Sequence, residues 1–190
     1  MEKVKAHIVS WLKSYCEKSN MYGFIVGVSG GIDSAVTSIL CAETNKKVIL
    51  LNMPIRQSKN EFTRAEEHIE DLKNRYSNVS SHELHLSTVF KSFEDAMPFD
   101  IESNGLSLAN SRARLRMMTL YAVGQANNLL VSGTGNKVED FGIGFYTKYG
   151  DGGVDLSPIA DLNKTEVFAL AKTLDVIEEI QNAAPTDGLW

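Results

Sequence analysis

The sequence predicts an α/β fold in which a parallel sheet is packed between helices. Three observations carry this. Short strand-like runs at 23–27, 47–52, 82–86 and 129–132 alternate with longer segments of helical periodicity. Strand–helix–strand alternation implies parallel pairing through right-handed crossovers. The first run also passes into a helix through a Gly/Ser-rich turn, Gly27-Val28-Ser29-Gly30-Gly31-Ile32-Asp33-Ser34.

In chain order, Glu2–Lys18 places Val4, Ile8, Trp11, Leu12 and Tyr15 at helical spacing and reads as a helix covering one face of the sheet. Residues 35–43 form the helix after the turn. Lys47–Asn52 is a second apolar strand, and Pro54 bars a helix from starting directly after it. Ser58 or Asn60 caps a charged helix running to about Arg75. His82, Leu84 and Leu86 alternate with polar neighbours as in a third strand. Ser87 caps a short helix over 88–97, and 98–105 is a loop. A long helix runs from 110 to about 127 with Leu115, Met118, Tyr121 and Ala122 as its packed side. Arg112, Arg114 and Arg116 near its start oppose the helix dipole, which points to an anionic partner. The strand at 129–132 leads into a second polar turn, Gly133-Thr134-Gly135-Asn136, and a second helix entry with Glu139. The five glycines within 142–155 mark a stretch expected to be mobile and to close over substrate. Asn163 caps a last strong helix over 164–174, and a shorter helical piece follows.

At 190 residues the chain fits one domain, residues 1–190, with a substantial core. Hydrophobic content of 43% and charged content of 23% are ordinary for a globular protein. The net charge of −5 argues against a nucleic-acid-binding surface, and no apolar run reaches the length of a membrane span. No nucleic-acid or membrane partner is expected, and a cytoplasmic location is. Cys16 and Cys41 lack metal-ligand spacing, and His82 and His85 have no further ligands near them in sequence.

The turn at 27–34 carries the chemistry. A strand–turn–helix junction leaves backbone N–H groups unpaired, with the positive end of a helix dipole behind them, which is a site for an anion. Gly30 and Gly31 permit close approach, and Ser29 and Ser34 add hydroxyls. Asp33 would repel an anion unless a cation lay between them, so it reads as a ligand for Mg²⁺ carried in with a nucleotide. The blander account is a tight turn with Asp33 as a helix cap. No Gly-Lys-Ser/Thr follows, so this is not the common P-loop. Ligands bind beyond the carboxyl ends of parallel strands, which places Met53 to line an adenine or ribose pocket. If the fourth strand lies beside the first, Thr134 and Glu139 arrive next to the turn, and Glu139 shares the Mg²⁺ with Asp33.

This turn resembles the pyrophosphate-binding loop of the N-type ATP pyrophosphatases, which activate a carboxylate or carbonyl oxygen as an adenylate and let a nitrogen or sulfur nucleophile displace AMP. Further motifs are Asn110 to Met117, Gly133-Thr134-x-Asn136-x-x-Glu139, Thr147-Lys148-Tyr149-Gly150-Asp151, Asp155-Leu156-x-Pro158, Lys164-Thr165-Glu166-Val167 and Pro185-Thr186. Their order resembles that of the ammonia-dependent NAD synthetases over nearly the whole chain. The resemblance implies a Rossmann-like, adenine nucleotide alpha hydrolase-like sheet with helices on both faces. It implies amidation of deamido-NAD (nicotinic acid adenine dinucleotide) by ammonia at the expense of ATP, as a homodimer. It implies that Gly27, Val28, Ser29, Gly30, Gly31, Ile32, Asp33 and Ser34 hold ATP phosphates, with Asp33 and Glu139 on Mg²⁺. Thr134, Lys164 and Thr186 match ATP-contacting positions, and Arg114, Lys148 and Asp155 match positions that hold deamido-NAD. Asp33, Lys164 and Asp151 are the candidate catalytic residues, Asp151 as a base for ammonium. The family carries a further C-terminal segment with a His-Lys pair that reaches substrate, and the chain is expected to lack it. Two rivals stand beside this reading: another N-type ATP pyrophosphatase amidating or thiolating a different acceptor, and a nucleotide-binding sensor without turnover.

Overall fold

In the computed structural model, which describes residues 1–98 and 104–184, the strands are β1 (Gly23–Gly27), β2 (Lys47–Asn52), β3 (Val79–Glu83) and β4 (Leu129–Val131). They form one parallel sheet in the order β3-β2-β1-β4. The two halves of the chain therefore meet at the β1–β4 pair, where Ile25 stands opposite Val131. The helices are α1 (Glu2–Lys18), α2 (Ile32–Ala42), α3 (Lys59–Arg75), α4 (Ser87–Asp95), α5 (Gly105–Ala126), α6 (Lys164–Thr173) and α7 (Glu178–Gln181). A π-helical turn, Lys137–Ile143, lies between β4 and α6.

Strand alternation divides the core into two layers. Phe24, Val26, Val48, Leu50 and Leu130 face α1, α2, α3, α6 and α7. Ile25, Ile49, Leu51, Leu129 and Val131 face α4 and α5. Helices thus cover both faces, as the alternation of elements requires. Apart from Asp33, every residue of α2 is buried, because the sheet, α1 and α6 enclose it. Cys16 and Cys41 are free, buried thiols, and burial pushes Cys41 up to about 12. Among the described residues, no helix is long and apolar enough to cross a membrane.

The structure shifts three elements from their expected bounds. β3 runs over Val79–Glu83 rather than 82–86, because its register is set by pairing Val48 with Val79 along β2. It is an edge strand with partly exposed side chains, so little apolar pattern marks it. Leu86, not Ser87, is the N-cap of α4, and no side-chain bond caps that helix. Asn104 caps α5 by accepting from the Ser107 N–H at 2.9 Å, so the helix starts five residues before Asn110. Arg112, Arg114 and Arg116 then lie mid-helix, and the dipole argument for an anionic partner no longer applies to them. The expected loop at 98–105 falls largely on residues outside those described.

His68 of α3 is fully buried, with its Nε2 2.8 Å from Ser38 Oγ of α2. Burial pushes its imidazole down to about 4. An unfolded histidine titrates near 6.5, so stability gained by keeping the ring neutral is complete above that pH and is lost as pH falls toward 4. This single group is expected to lower unfolding free energy by about 2 kcal/mol between pH 7 and pH 5. Urea denaturation of the wild type and His68→Gln at both pH values checks this. The same pH dependence in both proteins would exclude His68 as the cause.

Candidate active site

The turn after β1 is closed by its own serines. Ser34 Oγ donates to the Gly31 carbonyl at 2.9 Å and lies 3.0 Å from Ser29 Oγ, which accepts from the Gly31 N–H at 3.2 Å. Both hydroxyls therefore shape the loop. The first-turn N–H groups of α2, at Ile32, Asp33 and Ser34, have no intrahelical acceptor and are the backbone groups that could receive an anion. Helix α3 braces the loop from behind. Arg64 Nε donates to the Gly30 carbonyl at 3.1 Å, and Gln57 Nε2 donates to the Ser29 carbonyl at 2.9 Å. Gly30 has φ +80°, and a Cβ there would stand 2.3 Å from the Glu61 carbonyl oxygen, so only glycine fits.

Beside it, β4 delivers the second polar turn. Asn136, fully buried, accepts from the Val138 and Glu139 N–H groups through Oδ1 and donates through Nδ2 to Asp33 Oδ1 at 2.9 Å. Lys164, the first residue of α6, donates to Asp33 Oδ2 at 2.6 Å and to Glu139 Oε1 at 2.9 Å. Burial alone would lower the Lys164 pKa, but hydrogen bonds to Asp33 and Glu139 outweigh it and hold the ammonium above its usual value. Asp140 folds over Gly135, where a Cβ would lie 1.9 Å from Asp140 Oδ2. Burial, with the charges of Asp151, Glu139 and Asp33, pushes the Asp140 carboxyl up. Asp33, Glu139 and Asp151 thus lie near Asp140, and Lys164 pairs with two of these four carboxylates.

That donor set fits a hard divalent cation. Asp33 and Glu139 offer oxygens to one cationic point, and negative charge is in excess around it. Among the described residues, no group of three His, Cys, Asp or Glu side chains is arranged to hold a metal. A pair of carboxylates suits an ion whose other ligands come from phosphates and water.

The remaining expected residues fall in two places. Met53 is buried beyond β2, and Arg116 Nε donates to its carbonyl at 3.0 Å. Thr134 sits at the mouth of the second turn, half-buried. Arg114 projects from α5, and its Nε donates to the Lys148 carbonyl at 3.1 Å, so those two stand together. Thr147 anchors the same segment through Asn110 Oδ1 at 2.8 Å, and Asp151 Oδ1 accepts from the Thr147 N–H at 3.1 Å. The glycine-rich stretch is thus wound into turns against α5 over 147–153. Asp155 is engaged at both oxygens, by Tyr121 Oη at 2.9 Å and the Val131 N–H at 2.8 Å. Burial, with Asp155 next, pushes Tyr121 up to about 12. Thr186 lies outside the described residues.

Sequence reasoning assigned no role to Asn136, Arg64 or Gln57. An asparagine directly before a helix signals a cap, but nothing local reveals that its amide nitrogen reaches Asp33, 103 residues away.

The family model for NAD synthase matches residues 4–190. An "NH(3)-dependent NAD(+) synthetase" of Mesoplasma florum is 38% identical over 97% of this chain and 74% of its own length. One of Carboxydothermus hydrogenoformans is 40% identical over 100% of this chain and 76% of its own. Among solved structures, an NMN synthetase from Francisella tularensis superposes with a TM-score of 0.90 at 35% identity, covering 100% of this chain and 76% of that one. An NH3-dependent NAD synthetase from Campylobacter jejuni gives 0.85 at 32% identity, over 95% and 76%. The family match runs through both polar turns and every element between them, and the chain therefore belongs to the NAD synthase family.

Proposed function

We propose that the chain is a C–N bond-forming ligase that converts deamido-NAD, ATP and ammonia to NAD, AMP and pyrophosphate. The observation that carries this is the convergence of Asp33 and Glu139 on one cationic point at the open N-terminus of α2, in a chain whose relatives are NAD synthetases. A carboxylate is a poor electrophile, and ammonia cannot displace its oxygen unaided. Attack of the nicotinate carboxylate on the α-phosphorus of ATP forms a mixed anhydride and expels pyrophosphate. Ammonia then adds to the activated carbonyl, loses a proton, and AMP departs.

The chain's part is positioning and charge stabilisation. The N–H groups of the 27–34 loop and Lys164 receive the phosphates, with Thr134, Thr186 and Met53 as further contacts to ATP. Asp33 and Glu139 would hold Mg²⁺, which when bound offsets the charge of the phosphates. Arg114 and Lys148, side by side on α5 and its neighbouring turn, supply cationic charge for deamido-NAD, and Asp155 a hydrogen-bond acceptor. Asp151, exposed and near Asp140, is the candidate base for the proton of ammonium. The reading is of a cytoplasmic homodimer. Met118, expected on the packed side of α5, is exposed instead, because Met117 and Leu120 take the buried positions; with Leu106, Phe141 and Ile143 it is among the exposed apolar side chains open to a partner. Sedimentation equilibrium is expected to give about twice 21.0 kDa, and a monomer at assay concentration would remove the dimer.

Purified protein with Mg-ATP and ammonium is expected to release pyrophosphate only when deamido-NAD is added, with NAD appearing in step. Release without an acceptor, or none with it, would count against the reading. The likeness to the solved NMN synthetase favours a second acceptor, the acid counterpart of NMN, and the same assay with that mononucleotide separates the two.

Asn136 sets the Asp33 carboxylate, so its loss is expected to act through the metal. Residues that orient metal ligands are worth about 10–100-fold in affinity or activity. Asn136→Asp keeps the helix cap but turns a carboxylate toward Asp33. It is expected to raise the Mg²⁺ needed for half-maximal rate about tenfold or more, as is Asn136→Ala. A near-normal Mg²⁺ requirement in Asn136→Asp would reduce Asn136 to a cap.

A further inference from the structure

We propose that Lys164 is the resident counter-ion of the carboxylate pair, so that a divalent cation is held together with a nucleotide and not before it. This rests on the reading of Asp33 and Glu139 as a metal pair. The Lys164 ammonium touches Asp33 Oδ2 at 2.6 Å and Glu139 Oε1 at 2.9 Å, and so stands at the point both oxygens face. A second cation cannot be held there while Nζ remains, because like charges would be a few ångströms apart.

Three features support displacement over a permanent ion pair. Lys164 is the first residue of a helix capped by Asn163, where the dipole disfavours a cation; the carboxylates are what hold it there. The Lys164–Asp33 pair links the N-termini of α6 and α2, both of which attract anions, so an incoming triphosphate would find Lys164 already between them. Finally, lysine carries a point charge on a flexible four-carbon stem and can change partners without moving the backbone. Asn136 keeps the other Asp33 oxygen fixed throughout, so the carboxylate stays aimed while its partner is exchanged. Lys164 is thus a positioning residue in the empty enzyme and a phosphate contact in the loaded one.

Electron paramagnetic resonance of Mn²⁺ tests this. The wild type is titrated with Mn²⁺ alone and with the non-cleavable α,β-methylene analogue of ATP, and Lys164→Met and Lys164→Gln with Mn²⁺ alone. Wild-type protein is expected to hold Mn²⁺ at least tenfold more tightly with the analogue than without it. The Lys164 variants are expected to hold Mn²⁺ alone at least tenfold more tightly than the wild type does, and thermal unfolding of the variants, unlike that of the wild type, should shift upward with Mn²⁺ alone. Equal wild-type affinity with and without the analogue would overturn the proposal, a result that needs no variant to fold. Wild-type Mn²⁺ affinity matched by both variants would overturn it too, and either outcome leaves the metal pair standing. Failure to hold Mn²⁺ even with the analogue would overturn the metal pair along with it.

Discussion

The site depends on how one carboxylate is held. Asp33 is only 18% exposed at its side chain, and it meets Asn136 and Lys164, residues 103 and 131 positions away. Its oxygen and that of Glu139 are at most about 5.5 Å apart, because they share one ammonium at 2.6 and 2.9 Å. Two unit charges at that distance repel by about 3 kcal/mol at an effective dielectric of about 20. Without a cation between them that repulsion would work against the Asn136–Asp33 hydrogen bond and the β1–β4 pairing, which also hold the two turns together. With one, the carboxyl ends of β1 and β4 are tied together, and the two halves of the chain form a single site.

The 27–34 loop is organised from the side of α3. Arg64 and Gln57 take the carbonyls of Gly30 and Ser29, which fixes those peptide planes with their oxygens toward α3. The N–H groups of the first turn of α2 are then left to the open side. The serines, which a reading of residue types makes into anion donors, instead close the loop on itself. The serine hydrogen bonds supply rigidity, and the backbone N–H groups of the first turn of α2 are left without intrahelical acceptors. Gly30 follows from the same packing, since α3 comes too close for any Cβ.

Much of this was legible in the residues. The apolar runs and the Gly-Ser turn placed β1, β2, β4 and α2, and strand alternation sufficed because these strands are buried on both faces. The edge strand β3 was misplaced because exposed positions carry no hydrophobic signature, and only hydrogen bonding to β2 fixes its limits. The start of α5 was missed because its cap, Asn104, precedes an apolar side with no strong periodicity. That error had a consequence: three arginines looked like an electrostatic liability at a helix end, whereas Arg116 in fact hydrogen-bonds the Met53 carbonyl and Arg114 the Lys148 carbonyl. In the site, Asp33 and Glu139 could be paired from the sequence because strand order brings their turns together. Asn136 and the bridging geometry of Lys164 could not, since a contact spanning more than 100 residues leaves no local trace.

The same geometry explains why a lysine, and not an arginine, belongs at the start of α6. Arginine would satisfy both carboxylates with a planar fork of fixed donors, and such pairs are the harder to exchange. A lysine ammonium offers the same charge with no directional commitment. In a site whose carboxylates are proposed to serve an internal cation at one moment and an external one at the next, weak geometric specificity is the useful property. Asp140, with Asp151, Glu139 and Asp33 near it, adds to the negative side of this site. On the exchange proposed above, a nucleotide arriving with its cation would answer that charge and free Lys164 for the phosphates.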